Sequence, residues 1–234
     1  VLLPLALLGA RHLARWQSGA RPWVEGLLAL PLVLPPTVIG YYLLVAMGGH
    51  SPLGQWFEQA TGHPLAFSFT GLVVASVVFN IPFAVQPMQR AFEAIEPEVL
   101  ESAKCCGLSS WRSFTRIELP LAWPGILSAA VMTFAHTLGE FGVVLMVGGN
   151  IPGETQTVAI AIYDRVQSFD HASAGAMSLA LLLVSLATIA VSYGLATASS
   201  GLGGDEPRHR SAQRRAVPRL CRRVAGRRDH GAGW

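Results

Sequence analysis

Three groups of residues in this chain have types and spacings that could do chemistry. Cys105 and Cys106 stand side by side in the polar stretch EPEVLESAKCCGLSSWRSFTRIELP, residues 96–120. Thr133, His136, Thr137 and Glu140 recur at three- and four-residue spacing, which on a helix makes one polar stripe. Ser76 and Asn80 are four apart inside an apolar run. A cysteine pair suggests metal or redox chemistry, a His–Glu pair a base with its partner, and a stripe of hydroxyls and amides a polar route. Neighbouring cysteines on a helix point about 100° apart, which disfavours one shared ion. No CxxC, HExxH or spaced Cys/His set accompanies them. The His136–Glu140 pair has no third partner and no GxSxG-like turn. The expectation is therefore no metal site, no catalytic residue and no enzyme, leaving a polar route and a polar loop to explain.

The elements that must position these groups are greasy. The chain is 51% hydrophobic and 13% charged, against about 25% charged in ordinary soluble domains. A bilayer span needs about 20 residues without charge. Leu27–Met47, Leu65–Met88, Leu119–Gly139 and His171–Gly204 run uncharged for 21, 24, 21 and 34 residues. Soluble helices of that length carry charges on an outer face, so these runs predict membrane helices. VLLPLALLGA at the start reads as the end of another span, in a fragment cut inside its first helix. The fold class expected is all-α, an integral membrane protein of about five transmembrane helices, the first truncated. They are placed at about 1–10, 27–47, 65–88, 119–147 and 171–196, within one domain over 1–200.

Loop charge predicts orientation, because Lys and Arg collect on the cytoplasmic side. Arg11, Arg15 and Arg21, then Arg90, Lys104, Arg112 and Arg116, alternate with loops holding only Arg165. The N-terminus is thus expected outside, and the C-terminus and the loop 89–118 inside. The body over 1–200 carries a net −3, whereas 201–234 carries +6 and nine Arg. That tail is expected to be disordered and near anionic lipid, or to come from a shifted reading frame. No nucleic-acid partner is expected.

Local chemistry in the inner loop predicts two short helices joined by a glycine. Pro97 suits a first helical position, and Glu98 and Glu101 lie near the positive helix end. Gly107 suits the left-handed residue that ends a helix. Ser109 or Ser110 then caps the next one. Leu100, Ala103 and Leu108 offer a small apolar face, the kind that fits a groove on a partner protein.

The loop resembles the EAA loop of ABC-importer permeases: E-A-A, three residues, Gly, nine residues, I-x-L-P. Here the pattern reads Glu101, Ser102, Ala103, then Gly107, then Ile117, Leu119 and Pro120, with Ser102 the one departure. That resemblance implies a helix docking into a separate ATPase subunit, with Glu101, Ala103 and Gly107 at the docking core. It further implies a permease homodimer, two ATPase subunits that bind ATP-Mg, an external substrate-binding protein, and a place in the bacterial inner membrane. No cofactor is expected on this chain, which lacks a G-x-x-x-x-G-K-[ST] loop.

Residues 30–48 and 134–164 resemble the molybdate/tungstate permease group, with sulfate/thiosulfate permeases as near relatives and the alternative substrate class. The resemblance covers roughly 1–196. An oxyanion pathway is then expected to involve Ser76, Asn80, Thr133, His136, Thr137, Glu140 and the outer-loop Asn150. A glutamate repels a dianion, so Glu140 is equally read as pairing with His136 or Arg165. The breaks at Pro35–Pro36, Pro82 and Gly139/Gly142 are gate hinges or kinks satisfied by neighbours. A membrane-embedded enzyme is the remote alternative.

Overall fold

The computed structural model describes residues 2–200, and within them the chain is helices and connecting turns, with no strand. In order they are α1 (Leu2–Arg15), α2 (Arg21–Val33), α3 (Pro36–Met47), α4 (Pro52–Thr61), α5 (Phe69–Glu93), α6 (Pro97–Cys105) and α7 (Ser110–Ser113). A π-helical turn, Phe114–Glu118, leads into α8 (Leu119–Gly139). Then follow α9 (Gly142–Gly148), α10 (Val158–Gln167) and α11 (His171–Ser200).

Capping chemistry sets many of the boundaries. Ser51, Ser68 and Thr157 hold extended backbone, and each accepts a hydrogen bond from the N–H three residues on, at the starts of α4, α5 and α10. Gly62, at φ 80°, ends α4 in the left-handed region that glycine enters without strain. Breaks follow proline and glycine. Leu34 and Pro35 are extended, and α2 and α3 diverge by 110°. The uncharged run 27–47 is therefore a bent pair, since a proline pair removes helix donors and pushes the preceding residue out of the α region. Glu140 and Phe141 likewise leave helical geometry between α8 and α9, so 119–147 is interrupted as well.

The two breaks lie against each other. A Cβ on Gly142 would sit 2.9 Å from the Cβ of Pro36, and one on Gly40 would sit 2.8 Å from that of Met146. Missing side chains let α3 and α9 pack this closely, around Ile39, Met47, Ala75, Phe79, Val143 and Val147. A second core lies at the other end of α5. It joins Ala6, Ala10 and Leu13 of α1 to Met88 and Phe92 of α5, Val99 and Ala103 of α6, Phe114 and Ile117. The helix α5 threads both. There a Cβ on Gly125 of α8 would overlap that of Ala91.

Three helical stretches, Phe69–Glu93, Ser110–Gly139 and His171–Val191, are long and apolar enough to cross a bilayer, and the α2–α3 pair makes a fourth if counted as one. The 14 residues of α1 rise about 21 Å at 1.5 Å each, less than a hydrocarbon core of about 30 Å. Large apolar side chains on α2, α3 and α11, including Trp23, Val33, Tyr42 and Leu182, face outward. Contiguous apolar surface of this kind mates with lipid or protein. At the head of α2, Arg21 pairs with Glu25 at 2.7 Å and with Glu93. The tail 201–234 lies outside the described residues.

Candidate functional site

The polar loop forms as its local chemistry dictates. Pro97 opens α6 with Glu98 in the first turn. Gly107 closes it at φ 74°, with Leu108 N donating to Ala103 O at 3.1 Å and Gly107 N to Lys104 O at 2.9 Å. This is the paired Schellman closure. Ser109, rather than Ser110, caps the next turn by accepting from Arg112 N at 3.4 Å. Expected as a second short helix, that next segment instead has a single α turn followed by the π turn.

The motif residues split between two surfaces. Glu101 and Gly107 are exposed and Ser102 is half-buried, whereas Ala103 is 0% exposed and Ile117 is buried. Leu119 is half-buried, and Pro120 is exposed. The apolar face expected from Leu100, Ala103 and Leu108 is not an outer one. Ala103 and Leu108 turn into the chain's own core beside Val99, and only Leu100 remains partly accessible. The reason is local: with so few apolar groups, α6 must spend them on seating itself. What it presents outward is Glu98, Glu101, Lys104 and Cys105, and α7 adds the exposed ring of Trp111. Cys105 is a free thiol at the surface. No group of three or more His, Cys, Asp or Glu among the described residues could hold a metal.

At the base of this loop lies an ion triad that spacing did not reveal. Glu118 is 0% exposed. Its carboxylate accepts from Arg11 Nε at 2.6 Å and Nη2 at 3.2 Å, and pairs with Arg15 Nη2 at 2.7 Å. The Arg11 guanidinium also stands 4.8 Å over the Phe114 ring. In sequence, Glu118 occupies the unspecified position of I-x-L-P. The one available signal is a lone carboxylate at the mouth of an uncharged run.

The candidate pathway residues converge only in part. Ser76, Asn80, Thr133 and Thr137 line one groove of about 340 Å³, with Leu2 and Phe69 among its apolar walls. Asn80 Nδ2 donates to Ser76 O at 2.8 Å, which leaves Asn80 Oδ1 to accept from His136 Nδ1 at 3.0 Å. Phe83 stacks on the His136 ring at 3.9 Å between centroids. Thr137 Oγ1 donates back to Thr133 O at 2.7 Å. The stripe stops at Thr137, because α8 ends at Gly139 and Glu140 falls in the break.

Neither pairing expected for Glu140 occurs. His136 is engaged by Asn80, and Arg165 lies 3.5 Å from Asp170. The Glu140 side chain is buried, with neither carboxylate oxygen hydrogen-bonded among the described residues. Asn150 does not line the groove. It sits at φ 56° and donates to Asp164 Oδ2 at 2.8 Å, an oxygen shared with Gln156 Nε2 at 3.0 Å. Buried Thr155 ties the same loop by accepting from Ile151 N and donating to Gly148 O at 2.6 Å. Asn150 thus anchors its loop to α10.

Comparison with known proteins supplies the wider frame. Residues 3–200 match the family described as binding-protein-dependent transport system inner membrane component. The molybdenum transport system permease protein ModB of Azotobacter vinelandii is 47% identical over 190 residues, 81% of this chain and 84% of that one. ModB of Haemophilus influenzae is 42% identical, over 71% and 72% of the two chains. The sulfate transport system permease CysT of Escherichia coli is 32% identical, over 77% and 65%. A solved bacterial ABC transporter involved in import of the acidic polysaccharide alginate shares the fold. Its TM-score is 0.66 at 18% identity, covering 83% of this chain and 72% of that one.

Proposed function

The chain belongs to the binding-protein-dependent transport system inner membrane component family, and from that premise we propose that it is the permease subunit of an ATP-driven molybdate importer. One observation carries the substrate class: relatives named for molybdenum transport match it more closely and over more of their length than the sulfate permease does. In this reading the subunit does no covalent chemistry. It works as a homodimer, with two ATPase subunits that hold ATP-Mg and a substrate-binding protein at the outer face. It lies in the bacterial inner membrane with the N-terminus outside and the C-terminus inside, and its spans cover the five segments named from sequence, one bent at Pro35–Pro36 and one broken at Glu140–Phe141.

The outer surface of α6 and the Trp111 ring meet the ATPase, with Glu101 and Ser102 at the contact. Gly107 sets the angle between α6 and α7. Ala103, Ile117 and Leu119 hold the loop on its own core, and Pro120 opens α8. The groove of Ser76, Asn80, Thr133 and Thr137 offers uncharged hydroxyl and amide groups to a passing anion, which suits release better than a tight cationic pocket. The break holding Glu140, packed on Pro35–Pro36, is the gate. Reconstitution in proteoliposomes with the partner ATPase and the binding protein tests the substrate. Molybdate should stimulate ATP hydrolysis and enter the vesicle lumen. Stimulation by sulfate with no response to molybdate would reassign the substrate.

A further inference from the structure

Glu118 is fully buried, yet its carboxylate oxygens meet two arginines of a helix more than a hundred residues earlier. Burying such a group is costly before pairing, and an apolar residue of similar size often gives equal or better stability. Stability alone is thus a poor reason for the arrangement, and its position supplies a better one. Ser110 to Gly139 is one continuous helical rod. Its foot receives the loop through the Gly107 turn, and its body carries Thr133 and Thr137. The π turn Phe114–Glu118 is the first soft place above the foot of that rod, because i→i+5 bonding interrupts the regular ladder; Pro124 interrupts it again nearer the groove. Force applied at the foot would flex there before reaching the groove.

The triad spans this weak point. Arg11 grips the last residue of the π turn through two nitrogens and covers Phe114, the first, with its guanidinium. Arg15 closes on the same carboxylate one helical turn further along α1. Since α1 also packs on α5 through Ala6, Ala10 and Leu13, the triad locks the π turn to a second helix.

We propose that the Arg11–Glu118–Arg15 triad is the strut through which movement of the α6–α7 loop reaches α1 and α8 as one body. It makes these three residues positioning residues for transport. The proposal rests on the reading of that loop as the ATPase contact.

The arginines are partly exposed, at 26% and 39%, and Glu118 is not. Removing both arginines therefore strands a buried charge, whereas removing the carboxylate leaves two cations that water can reach. Glu118→Gln, Arg11→Gln/Arg15→Gln and the triple variant are to be purified with the ATPase, reconstituted with molybdate-loaded binding protein, and assayed for ATP hydrolysis with and without it. Glu118→Gln should copurify with the ATPase in wild-type ratio while stimulation by loaded binding protein falls at least about fivefold, the lower end of coupling between linked sites. The double variant should lose folded yield, and adding Glu118→Gln should restore yield but not stimulation. Wild-type stimulation in Glu118→Gln overturns the strut, and so does loss of ATPase copurification, which would place Glu118 in docking. Failure of the docking reading shows separately, as unchanged copurification when Glu101 and Trp111 are replaced by Ala.

Discussion

Asn80 illustrates how much one residue can decide. It is 1% exposed, and its amide satisfies Ser76 O on one side and His136 Nδ1 on the other. Replacing it with Leu leaves a half-buried ring nitrogen without this partner, at no more than about 1–3 kcal/mol. We expect Asn80→Leu to lower thermal stability in detergent, while Phe83→Leu, which removes stacking but no hydrogen bond, should cost less. Equal losses in the two variants would show that the amide contributes no more than its volume. Glu118 makes the complementary point. A residue at a motif's free position can be the most constrained group in the segment, because burial and partners are set by the fold.

At the scale of elements, the loop depends on a hinge and a seat. Gly107 supplies the hinge at φ 74°, where a side chain costs about 1–2 kcal/mol and a β-branched one is worse. Gly107→Val should therefore insert in the membrane normally yet lose molybdate uptake, with ATP hydrolysis no longer tied to transport. Normal uptake at wild-type expression would remove Gly107 from the coupling path. Val99 and Ala103 supply the seat. The bent α2–α3 pair and the α8–α9 break are a matched set: each lacks the side-chain bulk or backbone donors that would let it run straight, and each fills the other's gap.

Across the described residues, the three apolar clusters that α5 joins leave an outer shell of apolar side chains uncovered. On α11, Leu182 is 62% exposed and Ala174 only 5%, so the two mark opposite environments. A fluorophore on Cys introduced at 182 should be quenched by brominated lipid in reconstituted bilayers, whereas one at 174 should be shielded. Escape of the 182 label would assign that face to a protein neighbour.

The sequence by itself determined the class of the molecule. Charge-free runs predict membrane helices whatever their packing, because about 20 successive apolar side chains favour the hydrocarbon core by their own composition. Pro97, Gly107 and the Ser109–Ser110 pair predicted the loop's turns, since capping is decided within a few residues. Only the tertiary structure decided which way each group faces. Ala103 and Leu108 turned inward because the two ends of α1 and α5 offered them the nearest apolar surface. Glu140 missed both expected partners because α8 stopped one residue before it. The triad of Arg11, Arg15 and Glu118 was invisible in the chain because it joins segments more than a hundred residues apart, and burial, not spacing, gives it meaning.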